Sequence, residues 1–546
     1  MQLCLLGSVL LVTISASGGV VTTMADSGAG SLRQTITEAL SGDTIMFTTN
    51  GTITLTNGEL VIDKSLVIVG PGATNLVVSG NQASRVFNIA SNATVSISGL
   101  TVRDGYAPSD GGGIYSLGNL ALFNCLVTAN QASGSGGGGG IYSFGPLALT
   151  DCSVSHNAAG SGPSPGPPDP PEVNGGNGGG IYCADSLTLT NCTINANSAG
   201  NGYEQGGSGG SGGGIYGNGL ITIIACNVNS NSAGTGNFGG FHYIGGRPGG
   251  SGGGIYSAGM LIKIVASTIN SNTAGNGGTV PDSNFPGDGG PGGGVYSGGP
   301  LTLANCTISA NSSGQGGNNG NGGGIYCGDL LTLVACTVSA NDGGFGGGVF
   351  CVAPGALINS LIALNTANSY PDLDGSFTSQ GNNLLGQIEG SSGLTNDVNG
   401  DLVGSAKAPL NPLLGPLADN GGLTWTMALL PGSPAIDAGS DVLLVSPYNL
   451  STDQRGFPRK MGGHVDIGAF EYQVLPGISN FSVQSNKVSF NIYGDTNVVV
   501  IVEACTNLSN PDWQPVQTNT LTSGTSYFSD QQWTNYPGRF YRLRSP

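Results

Sequence analysis

The sequence predicts an all-β solenoid, a parallel β-helix, followed by a small β-sandwich. Three observations predict it. Glycine supplies 100 of the 546 residues, one unit of constant register recurs eight times between Gly111 and Asn365, and apolar residues inside each unit alternate as in short strands. Glycine at about 18% stands far above the roughly 7% of ordinary chains. Charged residues make up only 8%, yet 31 acids against 14 bases leave a net charge of −17. Nucleic acid and anionic membranes are poor partners for such a surface. Disorder needs low hydrophobicity and dense charge, whereas this chain is 38% hydrophobic and its glycines are periodic. Collagen is excluded because the period is not three.

Residues 1–17 hold an apolar run from Leu3 to Ile14 followed by Ser15, Ala16 and Ser17, which reads as a signal peptide without a basic start. Export to the cell exterior is the expectation, and no later segment has the ~18 apolar residues of a transmembrane span. Residues 18–104 form the N-terminal cap and first coils. Ser31 to Leu40 is the one predicted helix, with Ser31 as N-cap and Leu32, Ile36 and Leu40 on one face. It is placed as the cap a solenoid needs over its apolar end.

Residues 105–372 are the regular coils. Each unit starts with Gly-Gly-Gly and Ile or Val, then an aromatic: Tyr115, Tyr142, Tyr182, Tyr216, Tyr256, Tyr296, Tyr326 and Phe350. A small residue follows ten positions on, at Cys125, Cys152, Cys192, Cys226, Cys306, Cys336 and Ser360, with Ser267 one position later. Five residues beyond stands Asn130, Asn157, Asn197, Asn231, Asn272, Asn311, Asn341 or Asn365. In the unit Leu301–Asn311 the inward alternation changes parity at Asn305, which makes two strands joined by a bend. With the Gly-Gly-Ile-Tyr segment this gives three strands per turn. The aromatics are spaced 27, 40, 34, 40, 40, 30 and 24 residues apart, and the variation lies after the Asn, in insertions rich in Gly, Pro, Ser and Asn that read as loops.

Residues 373–472 read as closing coils. Residues 474–546 change character: glycine falls, and alternating segments with Trp513 and Trp533 suffice for a small β-sandwich.

The helix segment SLRQTITEAL, GDTIMF and the repeated GGGIY units resemble bacterial right-handed parallel β-helix proteins of the polymorphic outer-membrane type. The set NPLLGPLADNGG, LLPGSPAIDAG, TDQRGFPR and VDIGAFEY resembles the choice-of-anchor region that ends many of them. The terminal VEACTNL and PGRFYRLRSP resemble C-terminal β domains of secreted proteins of Verrucomicrobia-like bacteria. The resemblance implies exported, surface-associated, adhesin-like proteins. One departure is plain: about 73 C-terminal residues cannot make the membrane barrel of an autotransporter.

Parallel β-helices also carry polysaccharide lyases and hydrolases, which need a Lys or Arg base beside Ca²⁺, or facing carboxylates. Between Gly111 and Asn365 the ionisable side chains are few: Asp151, Asp169, Glu172, Asp185, Glu204, Arg247, Lys263, Asp282, Asp288, Asp329 and Asp342. No Asp-Asp pair and no Gly-His-Gly occurs among them. His156 and His242 read as structural, and Arg247 and Lys263 are the bases a lyase would have to use. No catalytic residue is therefore assigned. The Cys column reads as an inward stack of small apolar side chains, and the Asn column as turn residues that tolerate unusual dihedrals and bond their amides along the stack.

Parity puts the aromatic column outside, where it is either a glycan-stacking stripe or is covered by the insertions. Asp437, Asp453, Arg455, Asp466 and Glu471 read as an Arg-carboxylate network terminating the solenoid, with Ca²⁺ or a glycan as the alternative occupant. No other cofactor is expected. The expected partners are cell-surface components or polysaccharide, met by a monomer.

Overall fold

The computed structural model describes residues 18–162, 173–203, 206–238, 245–279, 285–473, 476–494 and 498–544. The signal-peptide reading at 1–17 lies outside the described residues, as do Asp169, Glu172, Glu204, His242 and Asp282.

Each regular coil contributes three short strands; in the fifth they are Ile255–Ser257, Ile262–Val265 and Thr268–Asn270. Every strand pairs in parallel with its equivalent one coil on, so Ile255 meets Val295, Ile264 meets Leu303 and Ile269 meets Ile308. The pairs accumulate into parallel sheets of 24 and 13 strands, a right-handed parallel β-helix. Ile255, Ile262, Ile264 and Ile269 are fully buried. One coil has no second layer of its own, so its apolar edge is covered only by the coils above and below.

Three bends per coil need a left-handed residue, two of them at positions that are not glycine. One directly precedes the Cys position, as at Asn191, Ala225 and Asn305. The other directly precedes the ladder Asn, at Ala129, His156, Ala196, Ser230, Ser271, Ala310, Ala340 and Leu364, with φ between 52° and 62°. This corrects the expectation that the Asn itself holds the unusual dihedral. The preceding residue takes the strain, and the turn it makes aims the Asn side chain inward. At the third bend the first glycine of each triplet has φ between 57° and 69°, and the third lies against the Asn column. A Cβ on Gly254 would sit 2.6 Å from the Gly294 carbonyl oxygen and 3.0 Å from Asn272 Cγ.

The glycine-rich insertions are not irregular loops over the described residues. Their outgoing and returning limbs interleave in one ladder, in which Gly210 N–H donates to Gly200 O, Gly234 to Gly210, Gly250 to Gly234, Gly275 to Gly250 and Gly290 to Gly275, each at 2.8 Å. A Cβ on Gly250 would fall 1.9 Å from Gly210 O, and one on Gly275 1.8 Å from Gly234 O. Only glycine lets backbones approach this closely. The insertions thus form a second, laterally bonded layer beside the helix.

At the N-terminus the helix is Leu32–Glu38. Ser31 Oγ accepts the Gln34 N–H at 3.2 Å, and Leu32 and Ile36 are buried against the first coils. Leu40 departs from the expectation. It lies beyond the Ala39 cap and is 70% exposed, its N–H donating to the Asp43 carboxylate at 2.8 Å.

The segment read as closing coils divides in two. Leu373–Ser379, Leu384–Leu385 and Leu402–Val403 continue the coils in parallel. From Leu414–Ala418, which forms an antiparallel hairpin with Thr426–Leu429, the chain instead runs back along the outside of the 13-stranded sheet. Gln454 accepts from Thr307 Oγ1 at 2.6 Å and donates to Thr268 Oγ1 at 3.0 Å. Thr268 Oγ1 donates to Trp425 O at 2.6 Å, and Asn227 Nδ2 reaches Leu423 O at 3.2 Å. Leu361, Ala363 and Leu384 of the coils share a core with Leu429, Ala435, Ile467 and Phe470. The segment is a lateral buttress, made possible by outward Thr and Asn side chains that offer it hydrogen bonds.

The C-terminal region forms two three-stranded antiparallel sheets around Phe490, Ile492, Val500, Val502, Leu521 and Phe528, a small β-sandwich.

Candidate functional site

The aromatic column lies on the outside of the coils, and all its rings except the buried Tyr142 are half-buried. Because the strands are in register, each ring stands over the next. Tyr142–Tyr182, Tyr182–Tyr216, Tyr216–Tyr256, Tyr256–Tyr296 and Tyr296–Tyr326 have centroids 4.3, 4.9, 4.7, 4.9 and 4.8 Å apart with planes within 12°. Tyr115 and Phe350 end the column at 5.6 and 5.2 Å. Arg85 covers the Tyr115 end at 4.9 Å, held by Glu59 at 2.6 Å and by the carbonyls of Asp110 and Gly111. Burial pushes the Tyr216 hydroxyl up to about 12 and raises those of Tyr256, Tyr296 and Tyr326. The geometry revises the stacking stripe: ring faces lie on one another, so a sugar would meet edges, not faces.

The two inner columns are hydrogen-bond ladders. Asn272 Oδ1 accepts the backbone N–H of Asn231 at 3.0 Å and its Nδ2 at 2.9 Å, and Asn272 gives the same pair of bonds to Asn311. The pattern runs from Asn130 to Asn365. The Cys column is more than an apolar stack. Cys192 N–H donates to Cys226 Sγ at 3.2 Å, Cys226 N–H to Ser267 Oγ at 3.0 Å and Cys336 N–H to Ser360 Oγ at 3.3 Å. Ser therefore replaces Cys because it accepts the same bond. Cys183, Cys327 and Cys351, outside that column, are also buried, and burial pushes the Cys183 thiol up to about 12.

The carboxylates of the coils serve turns. Asp151 accepts from Asn191 Nδ2, Asp185 from Ser186 N–H, Asp329 from Leu330 N–H and Asp342 from Thr366 Oγ1. His156 is exposed at a left-handed bend, and Lys263 stands exposed on the outer sheet face. Among the described residues of this set, each of these carboxylates is turned to a local donor.

The predicted network does assemble, but on the flank and not at the end of the solenoid. Arg455 pairs with Asp453 at 2.7 Å, donates to Glu471 O at 2.7 Å and lies 3.6 Å over the Phe470 ring. Asp466 accepts the N–H groups of Asp437 and Tyr472, Glu471 those of Met461 and Asp466, and Asp437 that of His464. Sequence reasoning missed Arg459. It is fully buried, donates to Gly468 O and faces Glu471, Asp453 and Asp466. Two buried guanidiniums thus balance three buried carboxyls, of which burial pushes Glu471 up to about 8 and Asp466 to about 6. The carboxylate oxygens are turned to amide N–H groups and Arg455, a donor set that does not fit Ca²⁺. Among the described residues no cluster of three metal-ligating side chains occurs.

A second feature was not singled out by sequence. Where the aromatic spacing falls from 40 to 30 to 24 residues, the glycine layer steps down. The returning limbs of successively shorter insertions line a cleft of ≈ 830 Å³, with Tyr326 on its wall and Phe345 at its rim. Phe345 and Tyr370 are 44% and 41% exposed, with ring centroids 6.0 Å apart. The signal was present in the spacings, but only the stacked layer turns a shorter insertion into a step.

Fold and columns together define a parallel β-helix solenoid with a glycine layer on one flank. No protein-family model and no curated protein matches the chain. No helix among the described residues is long and apolar enough to cross a membrane.

Proposed function

We propose that this chain is an exported, non-catalytic β-helix that displays a long, weakly charged surface at the cell exterior and acts in adhesion or surface-layer contact. The observation that carries the reading is where the ionisable side chains go. Coil carboxylates bond turn donors, and the Arg-carboxylate group fastens the buttress to the rod. Chemistry on a polymer would require such groups to converge on an open face. The resemblance of the repeats to polymorphic outer-membrane proteins, and of the 411–472 motifs to the choice-of-anchor region, supports export and surface attachment. The apolar run at Leu3–Ile14 agrees with it.

The test is fractionation of the producing cells with protease treatment of intact cells, joined to a cleavage assay on neutral and uronate polymers. The reading expects the protein outside the cytoplasm, protease-accessible, and no cleavage. Retention in the cytoplasm would overturn it, as would cleavage of any polymer lost on Arg247→Ala or Lys263→Ala.

A further inference from the structure

We infer that the step in the glycine layer is a binding site for a neutral polysaccharide chain, with Phe345 and Tyr370 as its stacking platform. The inference names a partner for the proposed surface function and rests on that reading only for its biological setting.

Three features of the step point to sugar. Its volume, ≈ 830 Å³, lies within the range of ligand pockets and takes a few pyranose units. Its lining is rich in primary amides, Asn318, Asn319, Asn321 and Asn368, beside Tyr326. An amide offers two donors and an acceptor, the complement of vicinal hydroxyls. Part of this set is already aimed by the fold: Asn321 Oδ1 accepts Phe345 N–H at 3.2 Å, and Asn318 donates its backbone N–H and Nδ2 to Asp288 Oδ1 at 2.9 and 2.8 Å. These bonds hold the side chains in place before a ligand arrives, which lowers the cost of ordering them.

The aromatic pair supplies what the column cannot. Within the column each ring face lies on a neighbour, whereas Phe345 and Tyr370 meet at 47° and are both exposed. A pyranose presents its C–H face to such a ring. Tyr370 has φ of 57°, and a Cβ on Gly390 would lie 2.2 Å from its Cγ, so its ring is seated directly over that glycine.

Charge selects the class of glycan. Among the described lining residues Asp288 is the one ionisable carboxylate, and none is Lys or Arg. A uronate polymer would bring its carboxylates toward Asp288 in a chain of net charge −17. A neutral chain meets no such repulsion.

The test uses the purified full-length chain in affinity electrophoresis through galactomannan, xyloglucan and mixed-linkage β-glucan, with polygalacturonate as the charged counterpart. At least one neutral polymer should retard the protein. Phe345→Ala and Tyr370→Ala should each weaken that binding about tenfold, with an unchanged melting curve, whereas Trp425→Ala, exposed elsewhere, should not. Retardation by polygalacturonate alone, by none of the polymers, or equally in both aromatic variants would overturn the inference. Failure of export would show in cell fractionation and leave this binding result untouched, so the two readings fail separately.

Discussion

Asp372 closes the asparagine ladder: its Oδ1 accepts both the backbone N–H of Asn365 at 3.2 Å and the Asn365 Nδ2 at 2.9 Å. It stands where a ninth Asn would stand, and its Oδ2 takes the Gln387 N–H at 2.8 Å. The Cys column ends in the same manner. It passes through Ser360 to Asn383, whose N–H and Nδ2 both go to Asp401 Oδ1. A carboxylate can only accept, so it terminates a ladder without leaving a donor pointing into the next coil.

Stability should fall as pH rises across the neutral range. Burial pushes Asp372 and Asp466 up to about 6 and Glu471 up to about 8, above their ordinary values. Between the ordinary and the raised values the folded state binds more protons than the unfolded state, so stability is greatest with these groups protonated and declines with pH until each has ionised. The expected melting temperature drops between about pH 5 and about pH 8.5, and Glu471→Gln flattens the upper part of that decline. A melting temperature that rises over this interval would contradict the assignment.

Asn272→Ala should destabilise the rod by about 2–4 kcal/mol, because it leaves the backbone N–H and one Nδ2 hydrogen of Asn231 without their acceptor in a dry interior and strips from Asn311 Oδ1 one of its two bonds from residue 272, the backbone one remaining. Asn272→Asp should be no better, since a carboxylate would face Asn311 Oδ1. Denaturant unfolding of both variants measures this. Either one matching the parent would show that the ladder adds nothing.

Gly250→Ala should open the glycine layer while sparing the coils. Its Cβ would meet Gly210 O at 1.9 Å, and Gly210 and Gly290 are bonded to the same ladder. Hydrogen exchange should increase at Gly210, Gly234, Gly275 and Gly290 but not in strand Ile262–Val265. Gly538→Ala, where a Cβ meets nothing within 4 Å and the backbone is not left-handed, serves as the control.

Arg455→Ala should release the buttress. It removes the ion pair to Asp453, the bond to Glu471 O and the contact with Phe470. Breaking such a buried pair costs roughly 3–5 kcal/mol. Exchange should rise at Thr268, Thr307 and Thr337, the outward side chains the segment covers. An unchanged melting curve would count against a load on this network.

Tyr256→Phe should be nearly neutral, because stacking and burial hold the ring, whereas Tyr256→Ala should lose two aromatic contacts worth about 0.5–1.5 kcal/mol each beyond the buried area. Thermal melting of the pair separates ring from hydroxyl.

The sequence by itself determined the solenoid. The Gly-Gly-Gly starts, the aromatics, the Cys positions and the asparagines recur at fixed offsets, and in-register stacking turns a constant offset into a column without further information. Ser31 as N-cap, the inward parity of Leu301 and Leu303, and the C-terminal sandwich were legible for the same reason: each depends on local pattern. Tertiary structure decided what those columns do. Ring-on-ring stacking removed the faces of Tyr142 to Tyr326 from ligands, and interleaving of the insertions built a layer from segments that read as loops. It also decided where the 411–472 segment lies, because Gln454 meets Thr268 across 186 residues and no period marks such a contact. Contacts between like positions are written in the repeat; contacts between unlike ones exist only once the chain has folded.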